Sequence, residues 1–262
     1  MNLVDKKKLN IVGIIPARMA SSRFPGKPLE TILGIPMIGH VYHRSKMAEV
    51  LDDVYVATCD STIYDYVESI GGKAVMTADT HERAADRTAE ALIKIEELMG
   101  ELIDIVVMLQ GDEPMIVPEM IAMAVQPLIN DTNVKVSNLM KKIDSIKEWE
   151  DPNEVKVVVD KNDNALYFSR EPIPSRKKYD DEITAFKQVC VMPFKRDTLL
   201  KYLALSPMPL EIIESVDMNR FLEHGIKLKM VKTDYKSYSV DTSEDLKFVE
   251  EVMKNDLLTD KY

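Results

Sequence analysis

A run of β-branched residues, Ile11-Val12-Gly13-Ile14-Ile15, ends at Pro16 and leads straight into a loop carrying Arg18, Arg23 and Lys27. This juxtaposition restricts the fold more than any other stretch. A short, uniformly apolar run bounded by proline is the pattern of a strand covered on both faces, as in a parallel sheet. Three cations beside such a strand call for an anion, because an unpaired buried charge is very costly. Polyphosphate is the fitting partner, since guanidinium forks match phosphate oxygens and lysine supplies a compact charge. Pro25-Gly26 and Pro28 stiffen the loop so that its cations converge. The alternative is a solvated basic surface loop. Ser21 stands where a P-loop needs its first glycine, Pro28 follows Lys27, and Gly13 has no partner glycines. Neither a P-loop nor a dinucleotide fingerprint is present, so side chains must hold the anion.

The remaining chain bounds the ligand further. Its 262 residues suffice for one α/β unit with a full core. A net charge of −10 repels nucleic acid and anionic membranes, which makes the basic loop a local site for a small anion. The two cysteines, Cys59 and Cys190, are far apart and lack metal-ligand spacing, as in a reducing cytosol. The first ten residues have no apolar signal core and no window reaches the ~20 apolar residues of a membrane span, so a cytoplasmic location is expected.

Strand and helix patterns alternate through the first half. Helices are expected over Met37 to Val50, Ser61 to Ile70 and Ala84 to Met99, and strands over Val54 to Thr58, Lys73 to Thr77 and Ile105 to Leu109. This is a doubly wound, mostly parallel α/β sheet, whose ligands lie beyond the carboxyl ends of the strands. The basic loop and Gln110-Gly111-Asp112 both fall on that edge. The second half reads as a smaller α+β lobe. Strands are expected over Val134 to Leu139, Glu154 to Phe168 (turning at Asp160 to Asn164), Phe186 to Phe194 and Ile226 to Val231. Helices are expected over Arg196 to Ala204 and Pro209 to Glu223. One continuous unit, 1–262, is expected, with a core of about 1–130 and 225–262 and a lobe of about 131–224.

His40 and His43 lack a third ligand nearby and read as packing residues. Arg83 and Arg87 lie near a helix N-terminus, where they meet an anion or, in the alternative, Arg87 pairs with Glu82 or Asp86. Asp241 precedes the capping sequence Thr242-Ser243-Glu244-Asp245 and is either a cap or a metal carboxylate. With Asp112 it would make the pair of carboxylates that Mg²⁺ commonly uses.

Pro16-Ala17-Arg18 with Ser22-Arg23-x-Pro25-Gly26-Lys27-Pro28-Leu29, Gln110-Gly111-Asp112-Glu113-Pro114, Tyr167-Phe168-Ser169-Arg170 and Val240-Asp241-Thr242-x-Glu244-Asp245-Leu246 resemble, in order and over nearly the whole chain, the motif series of the CMP-KDO synthetases (3-deoxy-manno-octulosonate cytidylyltransferases). The resemblance implies a nucleotide-diphospho-sugar transferase-like fold, a dimerising lobe and a Mg²⁺ requirement. It also implies attack of a sugar acid's anomeric hydroxyl on CTP with loss of pyrophosphate. It further implies catalysis by Lys27, Arg18 and Asp112, and a metal on Asp112 and Asp241. Nucleotide contacts would come from Ala17, Arg18, Ser22, Arg23, Lys27, Thr77, Arg83, Asp86, Gln110 and Gly111. The acceptor would meet Arg170, Gln188, Met192, Asp217, Met218 and Asn219, with Arg170 on its carboxylate. The protein is expected to be a homodimer without nucleic acid or membrane partners.

Several positions depart from the family's pattern. Its Ser-Gly-Thr is Arg83-Ala84-Ala85 here, and its Lys-His is Lys187-Gln188. An aromatic is replaced by Met192, and Glu-Gln-Leu-Arg by Asp217-Met218-Asn219-Arg220. A pocket that loses such hydrogen-bonding groups loses discrimination for hydroxyls. The acceptor is therefore expected to be KDO-like but altered, such as an amino-modified or shortened sugar acid or a phosphonate, with KDO itself still within the reading. The competing classes are a metal-dependent nucleotide-sugar glycosyltransferase, which would release no pyrophosphate, and an idle nucleotide-binding protein.

Overall fold

The computed structural model describes residues 8–20, 24–175 and 184–262. In chain order it runs β1 (Ile11–Ala17), the short ribbon β2 (Thr31–Ile32) and β3 (Ile35–Pro36), α1 (Met37–Lys46), β4 (Asp53–Thr58), α2 (Ser61–Ser69), β5 (Ala74–Met76), α3 (Ala84–Met99), β6 (Ile105–Leu109) and α4 (Pro118–Asn130). It continues with β7 (Ser137–Lys142), α5 (Ile146–Glu150), β8 (Lys156–Val159), β9 (Ala165–Ser169), β10 (Phe186–Val189), β11 (Val191–Lys195), α6 (Arg196–Tyr202), α7 (Pro209–Glu214), α8 (Asp217–Glu223), β12 (Lys229–Lys232) and α9 (Ser243–Met253).

β1 lies at the centre of the main sheet, in the order β11-β6-β1-β4-β5. Its partners β4 and β6 are parallel to it, β5 is parallel to β4, and only β11 runs antiparallel. Side chains alternate across this sheet as the strand period requires. Val12, Ile14, Val106 and Met108 join α3 and α6 on one face, while Ile15, Val107 and Leu109 join α1, α2 and α4 on the other. Both faces are covered, which explains why β1 and β6 read as unbroken apolar runs rather than alternating ones. The second sheet, β12-β7-β10-β8-β9, is antiparallel except where β12 runs beside β7.

Three sequence expectations change. Phe186 to Phe194 is not one strand, because at Cys190 the chain leaves the second sheet and enters the main one, β10 pairing with β7 and β8 and β11 with β6. Pro209 to Glu223 is two helices, because Ser215 turns into the left-handed region at φ 53° and stops the first. The sheets also cross the expected lobe limits: β11 belongs to the main sheet, and β12 pairs with β7 in the second. Helices α4 and α5 and the β2–β3 ribbon carry no counterpart in the sequence reading. His40 and His43 pack the C-terminus: His40 bonds the Ile32 carbonyl and the Tyr262 hydroxyl, and His43 stacks on Tyr262. No helix among the described residues is long and apolar enough to cross a membrane.

Candidate active site

The parallel strands all end at one edge, and two adjoining cavities open there. One, of about 370 Å³, is lined by Pro16 to Arg18, Lys27, Gln110, Gly111, Asp112 and Asp241. The other, of about 220 Å³, continues from Asp112 and Asp241 to the β10–β11 junction and the start of α8. A smaller recess lined by Arg18, His81, Arg83 and Arg87 flanks the first.

Three segments build the floor between the cavities. Gly26 takes a left-handed conformation (φ 79°) and starts the 3₁₀ turn Lys27–Leu29, which turns Lys27 inward. Gly111 lets the loop after β6 press onto β1, since a Cβ there would meet the Pro16 carbonyl at 3.2 Å. The Val240 N–H donates to the Asp112 carbonyl at 3.0 Å, which ties the C-terminal segment to this loop. Asp241 is not the cap of α9. Thr242 accepts the Asp245 N–H, and Asp245 accepts the N–H groups of Asp241 and Thr242 in return. The Asp241 carboxylate therefore turns the other way, into the cleft.

Lys27 joins these pieces. Its Nζ donates to Asp112 Oδ2 at 2.8 Å, to the Val240 carbonyl at 2.8 Å and to Asp241 Oδ1 at 3.3 Å. Burial lowers the ammonium's pKa, but the Asp112 and Asp241 carboxylates more than offset this and raise it above the ordinary lysine value. Two carboxylates that share one ammonium lie within reach of one cation. Mg²⁺ needs only one or two protein carboxylates once phosphate oxygens complete its shell, so this donor pair fits that ion. Among the described residues no group of three or more His, Cys, Asp or Glu comes together as a self-sufficient metal cage.

Of the other residues expected on the nucleotide side, Ala17, Arg18, Gln110 and Gly111 line the cavity, and Arg83 lines the recess. Arg18 also donates to the His81 carbonyl at 3.3 Å. Ser22 and Arg23 lie outside the described residues. Thr77 and Asp86 are not among the residues lining these cavities. The Thr77 hydroxyl accepts from Arg87, while Asp86 pairs with Arg220 at 3.6 Å. Arg83 reaches across to the second half, donating to Ser215 Oγ at 2.7 Å with Glu211 and Asp217 within 3.8 Å.

On the acceptor side Arg170, Gln188, Met192, Asp217 and Met218 line the second cavity. Asn219 does not. It is fully buried, with its amide bonded to the N–H and carbonyl of Phe168, so it fastens α8 to β9. Arg170 is largely committed to the backbone, donating to the carbonyls of Pro152 at 2.9 Å and Glu214 at 2.8 Å. Burial pushes the Asp217 carboxyl up to about 6, against the Ala85 N–H and Arg83, which hold it down.

Sequence reasoning missed Glu113, a cavity-lining carboxyl that accepts from Ser237 Oγ at 2.9 Å and that burial, with Asp112 beside it, raises to about 7. It also missed Lys156, fully buried with its ammonium on the carbonyls of Asp151, Glu154 and Arg170. Tyr167 and Ser169 donate to Glu214, so the recognised Tyr-Phe-Ser-Arg run is also a clamp on the α7–α8 break.

Comparison with known proteins agrees with this geometry. A family profile described as cytidylyltransferase matches residues 12–231. The 3-deoxy-manno-octulosonate cytidylyltransferase of Geobacter metallireducens is 40% identical over 257 residues, covering 94% of this chain and 99% of the relative. That of Thermodesulfovibrio yellowstonii is 42% identical over 247 residues, covering 92% and 96%. A solved CMP:2-keto-3-deoxy-manno-octonic acid synthetase complexed with CTP superposes with a TM-score of 0.87 at 38% identity, covering 95% of this chain and all of that one. A 4-diphosphocytidyl-2C-methyl-D-erythritol synthase from Anaerococcus prevotii, at 17% identity and a TM-score of 0.60, shares the fold. The carboxylate pair around Lys27, the cleft at the sheet edge and the full-length similarity lead to one conclusion: this chain belongs to the cytidylyltransferase family, among the 3-deoxy-manno-octulosonate cytidylyltransferases.

Proposed function

We propose that the protein joins the cytidylyl group of CTP to the anomeric hydroxyl of a KDO-like sugar acid, releasing pyrophosphate. The observation that carries this reading is the Lys27 ammonium held between Asp112 and Asp241 on the floor shared by two cavities. In the reaction a new bond forms between the hydroxyl oxygen and the α-phosphorus while the bond to the bridging oxygen of pyrophosphate breaks. The hydroxyl proton leaves to solvent or to a nearby base. No protein nucleophile is needed, because positioning and charge stabilisation carry such transfers. Asp112 and Asp241 would hold Mg²⁺, which when bound supplies Lewis-acid polarisation of the α-phosphate and favours ionisation of the attacking hydroxyl.

Lys27 keeps its proton and places a positive charge at the floor, beside the triphosphate's position. Arg18 lines the same cavity. Arg23, expected from the sequence among the nucleotide contacts, would add to this charge. Arg170 and Arg83 are the guanidinium groups lining the acceptor cavity, where a carboxylate would need them. A dimer through the second sheet and its helices, and a cytoplasmic location where CTP is available, complete the proposal.

The test is pyrophosphate release from each nucleoside triphosphate in the presence of KDO, with and without Mg²⁺. Release with CTP that depends on both acceptor and metal supports the reading. Transfer from a nucleotide sugar without pyrophosphate overturns it.

A further inference from the structure

Ala84, Gln110, Asp112, Ser215 and Asp241 line both cavities. A group handed from a ligand in one cavity to a ligand in the other must pass where the two meet, so these residues border the transferred phosphorus. Asp112 and Asp241 share the Lys27 ammonium there. Ser215 comes from a different part of the chain, the break between α7 and α8, and is exposed to the cleft.

Ser215 stands in the left-handed region, at φ 53° and ψ 48°. A residue with a Cβ is unfavourable there, and it stays only when its surroundings impose the conformation. Here they do. The Glu214 carboxylate accepts from the Tyr167 and Ser169 hydroxyls and from the Arg170 N–H. Arg170 also donates to the Glu214 carbonyl at 2.8 Å and to the Ser215 carbonyl at 3.5 Å. The Ser215 N–H donates to the Glu211 carbonyl. The side chain is fixed as well. Arg83 Nη1 donates to Ser215 Oγ at 2.7 Å, and Arg83 itself lines the acceptor cavity. An oxygen that accepts from a guanidinium is polarised and keeps its own proton to donate. Among the described residues no protein group takes that proton.

We propose that Ser215 is a catalytic residue, its hydroxyl donating a hydrogen bond to a non-bridging oxygen of the transferred α-phosphate while Arg83 holds the hydroxyl in place. The inference rests on the cytidylyl-transfer reading above and adds a residue to it. In-line displacement redistributes charge over the oxygens of the transferred group. A donor fixed in advance at one of them stabilises the transition state without reorganising. Ser215 transfers no proton and adds no charge, so its contribution belongs to turnover more than to binding.

Ser215→Gly tests this cleanly, because glycine favours the left-handed turn and only the hydroxymethyl group is lost. With CTP and KDO, kcat for pyrophosphate release is expected to fall about 10²-fold, while both KM values stay within about threefold. Ser215→Ala, which keeps the Cβ, should show the same loss. The two diastereomers of CTP with sulfur on the α-phosphate then locate the contact, since sulfur is a weak acceptor. Removing the hydroxyl is expected to shift the ratio of their rates by about tenfold, by lifting the penalty on the isomer whose sulfur faces residue 215. A glycine variant with kcat within about threefold of the parent, or a loss of kcat that leaves the isomer ratio unmoved, overturns the inference and leaves cytidylyl transfer standing. Absence of pyrophosphate release by the parent enzyme overturns the functional reading itself, and the inference with it.

Discussion

The two sides of the cleft spend their polar side chains in opposite ways. On the nucleotide side, Lys27, Asp112 and Asp241 bond largely to one another. On the acceptor side, Arg170, Lys156 and Asn219 bond to main-chain groups of neighbouring loops and strands. An ion pair between side chains can be traded for a metal ion and phosphate oxygens, with new charge-assisted contacts replacing the old ones. A side chain bound to carbonyls cannot leave without stranding them. The first region therefore holds its chemistry in exchangeable form, while the second uses polar residues as scaffolding and leaves recognition to what remains on the surface.

The strongest way to break this contrast is Lys27→Met. Removing the ammonium takes one charge from the reacting centre and leaves two carboxylates facing each other. Turnover measured by pyrophosphate release is expected to fall about 10³-fold. A variant with near-normal turnover would reduce Lys27 to scaffolding as well.

Arg220→Met tests the scaffold directly. Arg220 makes a bidentate pair with the fully buried Glu211 at 2.6 Å and lies 4.1 Å over the Tyr202 ring. Its loss strands a buried carboxylate and should cost about 3–5 kcal/mol in urea denaturation.

The same cluster predicts a pH effect. Asp217 faces Arg83, Asp86, Glu211 and the Ala85 N–H, and its carboxyl is raised from 3.8 to about 6. The folded state thus binds this proton more tightly than the unfolded chain. The contribution is present below about pH 4, is lost as pH rises toward 6, and is flat above, a change on the order of 3 kcal/mol. Asp217→Asn should remove this slope from the pH dependence of the urea midpoint.

Lys156→Met sharpens the comparison, because it frees three carbonyls around the acceptor cavity and touches nothing on the nucleotide side. About 2 kcal/mol of stability should be lost. The acceptor KM should rise while that for CTP holds, and an equal rise in both would deny that the sides are separate. Tyr262→Phe, which removes a hydroxyl bonded to His40 and Arg44, none of them lining either cavity, should cost only about 1 kcal/mol and leave both KM values alone.

How much of this was legible depends on what kind of signal each part left. The parallel core declared itself because β1 and β6 are buried on both faces and show unbroken apolar runs. Asp112 and Asp241 stood out because each follows a strand-like run and precedes a cap or turn; the capping box from Thr242 to Asp245 was legible as well, while the release of the Asp241 carboxylate from any capping role was not. Phe186 to Phe194 misled because both halves carry β pattern, and a change of sheet leaves no mark on periodicity. Ser215 misled because nothing in its residue type announces a left-handed turn. Arg170 was legible as a cation, but the carbonyls of Pro152 and Glu214 that occupy it are main-chain atoms and have no signature in sequence.

The single residue between β10 and β11 has a consequence for how such an enzyme can change its acceptor. With only Cys190 between β10 and β11, there is no slack at this junction in which to insert or delete residues without rotating one strand's side chains to the opposite face. New specificity on this template must come by swapping side chains in place, which preserves chain length while the chemistry of the cavity lining drifts.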